Sequence, residues 1–287
     1  MALNIAHHLS IRLQQRSTMT DEWSFGHERP LIMAHRGDPN QAPENSLEAM
    51  RAALQIGADS LETDVRLTKD NQLVLFHDEG LKRTTGISGS VNQRTLAELR
   101  KLDLGHSYSL DGQTFPFRGK GFQIVTIEEA FEAFPDTKIN IDMKDTNTAA
   151  SEKLAKAIEE YNRHESVVIA SFIPKQLERF RRILPDVATC AHPKEVRRFV
   201  IGLKLHAIRV FSSHLRFRAF QVPIKYGATQ VVSPKFVREA HKRNIAVHVW
   251  TINDRHTMEW LMDIEVDGIF TDEPSLMRTV LNERGLP

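Results

Sequence analysis

Residues 31–68 read LIMAHRGDPNQAPENSLEAMRAALQIGADSLETDVRLT, and they contain a short apolar strand, a helix and a second strand in turn. The first strand is predicted over residues 31–34, where four apolar residues run together. Asn45 or Ser46 opens the helix, since either side chain can cap it. The second strand is predicted over residues 60–68. Strand, helix and strand in this order predict a βα unit of a parallel sheet.

The alternation of strands and helices resumes near residue 123 and continues toward the end of the chain. It yields roughly eight strands, which predicts a TIM-type (β/α)8 barrel. A doubly wound open sheet is the alternative, but the chain contains neither GxGxxG nor GxxxxGK(S/T). Residues 204–229 show no readable pattern. The further strands are predicted over residues 138–144, 167–171, 187–191, 245–252 and 268–271.

One part of the chain interrupts this alternation. Residues 72–76 (QLVLF) follow a polar turn and predict a hairpin-like excursion instead of an immediate helix. Residues from about 80 to 122 are rich in glycine and show little periodicity beyond a short helix near residues 95–102. We interpret them as a small insertion after the second strand, on the barrel rim. The predicted domains are an N-terminal extension, residues 1–29, and a barrel domain, residues 30–287.

Composition limits the expected partners and compartment. The 287 residues include 38 Lys and Arg against 37 Asp and Glu, so the net charge gives no reason to expect nucleic-acid binding. Cys190 is the only cysteine, which excludes a disulfide within the chain and favours the cytoplasm. No apolar run reaches the length of about 18 residues that a spanning helix needs. The first thirty residues also lack the apolar core and cleavage site of a secretory signal.

Polar residues stand where the predicted strands end. His35 and Arg36 follow the first strand directly, and His77 follows the apolar run of the excursion. Glu62 and Asp64 are two residues apart on the second strand, so their side chains point to the same face. Each motif alone is common on protein surfaces. Active groups of a barrel lie at the carboxyl ends of its strands, so we expect these five side chains to meet at one mouth.

Asp142 and Lys144 repeat the two-residue spacing on the next barrel strand. Inward carboxylates side by side repel, and a divalent cation is the simplest compensation. An oxygen-rich site of Glu62, Asp64 and Asp142 suits Mg²⁺ or Ca²⁺ better than Zn²⁺. The cationic groups of Arg36 and Lys144 suit phosphate oxygens. Together these residues predict metal-assisted cleavage of a phosphodiester.

Four segments of the chain resemble known sequences. Residues 34–86 (AHRGDPNQAPENSLEAMRAALQIGADSLETDVRLTKDNQLVLFHDEGLKRTTG) resemble the opening of the glycerophosphodiester phosphodiesterase family. FPDTKINIDMK, VHVWTIND and VDGIFTDEP are similar to later segments of that family and follow in the expected order. Together they extend from about residue 31 to 278. The resemblance implies a barrel enzyme that cleaves glycerophosphodiesters to an alcohol and glycerol phosphate.

The resemblance also implies roles for individual residues. His35 and His77 are the acid–base pair; we favour His35 as base and His77 as acid, and His77 could also coordinate the metal. The substrate's own hydroxyl would attack phosphorus, and water would then open a cyclic phosphate. The remaining implied site residues are the metal ligands Glu62, Asp64 and Asp142, the phosphate-binding Arg36 and Lys144, Glu44 of the PEN motif, which orients these groups or touches the metal region, and Trp250 at the mouth.

Asp142 departs from the commonest family pattern, in which Glu occupies this position. Its motif, NIDMK, resembles the NIDIK of members that act on lysophospholipids, which makes a lysophospholipase D-type activity the alternative. Residues 179–225 carry eleven Lys and Arg against Asp186 and Glu195. This stretch is either a solvated basic face or a rim for peripheral membrane contact.

Other classes of function are less well supported. A related phosphodiester lyase or phospholipase needs a different headgroup pocket, and a non-catalytic phosphate-binding barrel predicts the loss of a histidine or carboxylate that this chain retains. A nuclease is disfavoured by the neutral net charge. We therefore expect a small-molecule or lysolipid substrate, a cytoplasmic protein with peripheral membrane association as the alternative, and no nucleic-acid partner. The sequence indicates no oligomeric state.

Overall fold

The structure, a computed structural model, describes residues 28–208 and 215–286. The strands of its central sheet are short, as is usual where both faces of a sheet are covered. They are β1 (Leu31–Ala34), β2 (Ser60–Leu67), β3 (Leu73–Leu75), β4 (Ile139–Met143), β5 (Val167–Ala170), β6 (Ala188–Thr189), β7 (Ala219–Val222), β10 (Ala246–Val249) and β11 (Gly268–Thr271), with β8 (Lys225–Tyr226) and β9 (Thr229–Gln230) in a separate hairpin.

Eight of these strands form a parallel sheet in the order β6, β5, β4, β2, β1, β11, β10, β7. A parallel bridge between Cys190 and Ala219 joins the end of β6 to β7 and nearly closes the ring. The predicted TIM-type barrel is therefore confirmed. β3 pairs antiparallel with β2, as predicted for the excursion after the second strand.

The helices alternate with the strands and end where their sequences dictate. Of the two candidate caps of the first helix, Ser46 is the N-cap, since its side chain accepts from the Ala49 N–H. Gly57 ends this helix with a φ of 90°. The helices are α1 (Leu47–Ile56), α2 (Lys82–Thr85), α3 (Leu96–Leu99), α4 (Ile127–Ala133), α5 (Ala149–Glu160), α6 (Pro174–Ile183), α7 (Pro193–Lys204), α8 (Pro234–His241), α9 (Arg255–Asp263) and α10 (Pro274–Glu283).

The core has an outer and an inner part because alternate residues of each strand point to opposite faces of the sheet. Ile32 packs outward with residues of the surrounding helices, whereas Leu31 and Met33 belong to a smaller cluster with Cys190 and Phe270. This smaller cluster lies inside the barrel. The polar residues of the site therefore stand above a packed floor and do not line an open pore.

Residues 204–229, which show no readable pattern in the sequence, contain one strand of the barrel. This strand is β7 (Ala219–Val222), which the sequence did not predict. β7 has only four residues and contains Gln221, so it gives no periodic signal. Residues 209–214 lie outside the described residues, as do residues 1–27 of the predicted N-terminal extension.

The predicted insertion has a small core of its own. It contains α2, a 3₁₀ turn (Val91–Gln93) and α3. The helix expected near residues 95–102 is therefore present as α3 but shorter than predicted, and a second short helix, α2, precedes it. Leu81, Val91 and Leu99 pack with Phe76, at the end of the excursion. The insertion is thus anchored to the barrel beside His77.

Candidate active site

The turn after β1 carries the His-Arg-Gly sequence. Arg36 and Gly37 have positive φ angles of 60° and 92°. The Arg36 N–H donates to Glu62 O at 3.1 Å, which ties the turn to β2. A Cβ on Gly37 would lie 2.6 Å from the backbone carbon of Ala49, so the turn packs against α1 too closely for any other residue. The glycine therefore fixes where the two preceding side chains emerge.

The His35 ring is held by a carboxylate from the last barrel strand. His35 Nδ1 lies 2.7 Å from Asp272 Oδ1, and Asn253 Nδ2 donates to Asp272 Oδ2 at 2.8 Å. Burial alone lowers the pKa of His35, but the hydrogen bond to Asp272 and the charge of Glu62 outweigh it and raise the pKa above its ordinary value. This arrangement leaves Nε2 as the ring nitrogen for proton transfer.

The His77 ring is held in the same way by the residue that follows it. His77 Nδ1 lies 2.7 Å from Asp78 Oδ1, and Arg83 Nε donates to Asp78 Oδ2 at 2.5 Å. The hydrogen bond with His77 and the contact with Arg83 hold the pKa of Asp78 far below its ordinary value. Both histidines therefore have a carboxylate on Nδ1, which suits two groups that exchange protons through Nε2.

Three buried carboxylates lie together on β2 and β4. Asp64 stands opposite Asp142 in the strand register, and Glu62, Asp64 and Asp142 are only 1% to 6% exposed. Burial and the charge of Asp64 raise the pKa of Glu62 to about 7, and burial also raises the pKa of Asp142. Although burial opposes it, Lys144 and Arg36 lower the pKa of Asp64 to about 2. The cluster therefore depends on nearby positive charge.

Two cationic side chains supply part of that charge. Lys144 Nζ lies 2.6 Å from Asp142 Oδ2 and 2.9 Å from Asp64 Oδ1, and Arg36 Nε lies 3.0 Å from Asp64 Oδ2. Asn45, which the sequence suggested only as a helix cap, also serves this cluster. Its Nδ2 donates to Asp64 Oδ2 at 3.2 Å while its Oδ1 accepts from Thr63 Oγ1 at 2.7 Å.

The donor chemistry of the cluster fits a hard divalent cation. Asp142 Oδ1 is buried without a hydrogen-bond partner, and Asp64 Oδ1 has only the ion pair with Lys144. Carboxylate oxygens of this kind are the ligands that Mg²⁺ and Ca²⁺ prefer. Across residues 28–208 and 215–286, however, no three His, Cys, Asp or Glu side chains are arranged so that they could hold a metal ion as they stand. Lys144 Nζ contacts oxygen atoms of Asp64 and Asp142, for which the predicted metal would compete.

A second network surrounds Glu44 of the PEN motif. Arg36 Nη1 donates to Glu44 Oε1 at 3.0 Å, and Arg83 donates to both carboxylate oxygens at 2.5 and 2.9 Å. This contact with Arg36 is the one that the orienting role predicted for Glu44 requires. Arg83 was missed because a basic residue in an insertion has no distinctive sequence signal.

A cavity of about 190 Å³ opens above these groups. The insertion forms one wall with Tyr108 and Leu110, beside His35 and Asp272. Asp272 therefore both lines the cavity and holds the His35 ring.

Trp250 contacts Phe172, which lies beside Lys144 and which the sequence did not single out. Its ring packs edge-on against Phe172, with 5.7 Å between the ring centroids. Lys144 Nζ lies 5.6 Å from the centroid of the Phe172 ring. Phe172 is 57% exposed, so this pair presents an apolar edge beside the cationic group.

The chain is similar in sequence to known proteins. The family model described as "Glycerophosphoryl diester phosphodiesterase family" matches residues 35–276. A glycerophosphodiester phosphodiesterase of Caldanaerobacter subterraneus subsp. tengcongensis is 34% identical over 263 residues, with 90% of this chain and 100% of the relative covered. Lysophospholipase D GDPD1 of Rattus norvegicus is 27% identical, with 87% of this chain and 85% of the relative covered.

Among solved structures, an Oleispira antarctica phosphodiesterase in complex with the product sn-glycerol-3-phosphate has a TM-score of 0.70 and 25% identity. The match covers 88% of this chain and 97% of that one. Within the described residues, we find no helix with the length and apolar character needed to cross a membrane.

Proposed function

This chain belongs to the glycerophosphoryl diester phosphodiesterase family, and from that premise we propose that it hydrolyses glycerophosphodiesters to an alcohol and glycerol phosphate. One observation carries the proposal: His35 and His77 each have a carboxylate on Nδ1 and flank the cluster of Glu62, Asp64 and Lys144. Two oriented imidazoles beside cationic groups suit an in-line displacement at a phosphodiester.

The proposed reaction begins with proton removal. His35 Nε2 takes the proton from the substrate hydroxyl next to the phosphoester, and that oxygen attacks phosphorus. His77 gives a proton to the departing alcohol oxygen, so a free alcohol and a cyclic phosphate result. Water then opens the cyclic phosphate with the two proton-transfer roles reversed. Arg36 and Lys144 bind the phosphoryl oxygens, on which negative charge increases in the transition state.

We include a divalent cation, Mg²⁺ or Ca²⁺, as a cofactor in this proposal. Glu62, Asp64 and Asp142 would hold it, and His77 is a further candidate ligand. When bound, it would polarise the phosphoryl oxygen as a Lewis acid. Binding is testable apart from activity, because a ligand that binds only the folded state raises the thermal unfolding midpoint. An unchanged midpoint in millimolar Mg²⁺ and Ca²⁺, compared with EDTA, would contradict the cofactor.

The activity itself is testable by a product screen. Glycerophosphocholine, glycerophosphoethanolamine and glycerophosphoinositol are incubated with the protein in Mg²⁺ or Ca²⁺, and released glycerol phosphate is measured. The proposal expects glycerol phosphate from at least one of them. Release of no product from any substrate, with either metal, would contradict it.

A second candidate is hydrolysis of lysophospholipids, as the name of the Rattus norvegicus relative states for that protein. The exposed Phe172 beside Trp250 favours it, since this edge could contact an acyl chain at the mouth. Lysophosphatidylcholine added to the same screen tests it: free choline with lysophosphatidic acid would support this activity, and their absence would exclude it.

Membrane contact through residues 179–225 remains a proposal that goes with this second candidate. Part of the basic charge is already paired, because Arg181 bonds Glu195 and Arg179 bonds Glu152. Co-sedimentation with vesicles that contain or lack phosphatidylserine measures whether the remaining basic charge binds an anionic surface. Binding that requires phosphatidylserine at low salt would support membrane contact, and no charge-dependent binding would exclude it.

A further inference from the structure

We propose that Arg83, in the insertion, is a positioning residue that orients His77 and Arg36 at the same time. The inference rests on the proposed function, because it assigns a role to Arg83 in that reaction. Arg83 is the link between two carboxylates, Asp78 and Glu44, each of which holds one of these two groups.

The first branch leads to the phosphate-binding guanidinium. Arg83 makes a two-point contact with Glu44, at 2.5 and 2.9 Å, and Arg36 Nη1 donates to the same carboxylate at 3.0 Å. The Glu44 side chain is only 10% exposed, so water replaces a lost partner poorly. Without Arg83, Glu44 would depend on Arg36 alone and would draw its guanidinium away from Asp64.

The second branch leads to the proposed general acid. Arg83 Nε donates to Asp78 Oδ2, and the other oxygen of Asp78 lies 2.7 Å from His77 Nδ1. Asp78 therefore has one oxygen for the imidazole and one for the guanidinium. If Arg83 is removed, the Asp78 carboxylate can rotate and the His77 ring loses its defined direction.

The short helix α2 fixes where the guanidinium lies. Leu81, Thr84 and Thr85 are buried, and Thr85 Oγ1 donates to Leu81 O at 2.8 Å. Only arginine supplies donors on both sides of a planar fork, so one side chain can bridge two carboxylates. This part of the insertion is thus a support for the acid–base machinery as well as a wall of the cavity.

The two branches predict different kinetic effects, which a merely structural role would not produce. Loss of orientation at His77 slows the first step, in which the cyclic phosphate forms, only when the leaving group needs a proton. Loss of orientation at Arg36 weakens phosphate binding and lowers the rate by a similar small factor for every substrate, so the difference between two substrates reports on His77. We therefore compare glycerophosphocholine, which has an alcohol leaving group, with the p-nitrophenyl ester of glycerol 3-phosphate, whose leaving group departs as an anion.

The experiment follows the first step alone, as single-turnover release of choline or nitrophenolate. It gives the rate constant of this step (kcat here) and its KM for wild type, Arg83→Met, Arg83→Gln and the control Lys82→Met on both substrates. Lys82 lies on the same helix and carries the same charge, so it is a matched control. We expect Arg83→Met and Arg83→Gln to lower kcat on glycerophosphocholine by about 10- to 100-fold. On the nitrophenyl ester, kcat should fall less than about threefold while KM rises. Thermal unfolding shows which variants are folded, and one folded Arg83 variant is enough for the comparison.

The outcomes separate this inference from the proposed function. Equal losses of kcat on both substrates, or equal losses in Lys82→Met, would overturn the positioning role while wild-type turnover still supported the proposed function. A wild type that hydrolyses neither substrate would contradict the proposed function and the positioning role with it.

Discussion

The Nδ1 atom of His35 and the Oδ1 atom of Asp272 are 2.7 Å apart, although 237 residues separate them in sequence. They meet because β1 and β11 pair in parallel, with Ala34 opposite Thr271, so the residue after each strand lies at the same edge of the sheet. The first and last strands of the barrel thus jointly determine the direction of one proposed catalytic ring.

Replacement of this carboxylate should change both rate and pH dependence. Asp272 raises the pKa of His35 by favouring the charged ring, so Asp272→Asn should lower that pKa and move the acid limb of kcat/KM to lower pH. Loss of orientation should lower kcat by about 10- to 100-fold. The pH profile of glycerophosphodiester hydrolysis measures both effects.

Asp263→Asn is the matched control. Asp263, the last residue of α9, makes an exposed ion pair with Arg284, so its replacement should leave the pH profile unchanged. An acid limb in Asp272→Asn that coincides with that of wild type would contradict the assignment of His35 as the base.

Substitution of Gly37 should destabilise the protein more than its φ angle alone requires. Gly37→Ala places a Cβ 2.6 Å from Ala49, at a φ of 92°. Gly112 has a φ of 72° with nothing within 4 Å, so Gly112→Ala isolates the conformational term of about 1–2 kcal/mol. Denaturant unfolding of both variants measures the difference. Equal losses of unfolding free energy would show that the close approach to α1 does not constrain the turn.

Asp142 is the proposed metal ligand whose substitution is most informative. Asp142→Glu keeps a carboxylate at this position on a side chain one methylene longer, so it should keep most of the activity or shift the preference between Mg²⁺ and Ca²⁺. Asp142→Ala should weaken metal binding by about 10- to 100-fold. Titration of each metal, followed by the thermal unfolding midpoint, gives the affinities. Unaltered affinity in Asp142→Ala would mean that another residue is the third ligand.

A partly buried ion pair outside the site should make stability depend on pH. His241 Nε2 lies 2.8 Å from Asp267 Oδ2, and this hydrogen bond is the main reason that the pKa of His241 is raised. The pair stabilises the fold fully below the ordinary histidine pKa of about 6.5, and this contribution is lost as pH rises through the higher pKa of the folded state.

The contribution should be less than about 1 kcal/mol because the ring is partly solvated. The measurement is the free energy of unfolding in denaturant, for wild type and His241→Gln, at pH values below and above the two histidine pKa values. The difference between the two proteins at each pH gives the contribution of the pair. A wild type that gains stability relative to His241→Gln as pH rises would have the wrong sign for this pair.

The sequence predicted those parts of the molecule that depend on local pattern. β2 is an example, since the two-residue spacing of Glu62 and Asp64 placed both side chains on one face of the strand. The same spacing related Asp142 to Lys144 at β4. The barrel followed from the repeated alternation. β7 could not be predicted, because Gln221 interrupts its apolar residues and its strand character comes from pairing with β10.

Contacts between distant segments could not be predicted from the sequence either, because they too depend on how separate parts of the chain pack together. The bond from Asp272 to His35 and the bridge from Arg83 to Glu44 exist only once the barrel has closed and the insertion has folded over it. Asn45 was interpreted as a possible cap, yet its positive φ turns its side chain toward Asp64. Phe172, beside Trp250, follows a strand as many loop residues do, and nothing local marks it.

The central claim is that His35 and His77 form the acid–base pair of a glycerophosphodiester hydrolase. The most direct measurement is glycerol phosphate release from a glycerophosphodiester by wild type, His35→Ala and His77→Ala, each with Mg²⁺ or Ca²⁺ and each with EDTA. Wild type should turn over the substrate in the presence of metal. Each alanine variant should lose at least about 100-fold in kcat, the lower end of the contribution of general acid–base catalysis, and EDTA should abolish the wild-type activity. Near wild-type turnover by either folded variant would contradict the assignment of the pair, and full activity in EDTA would contradict the metal.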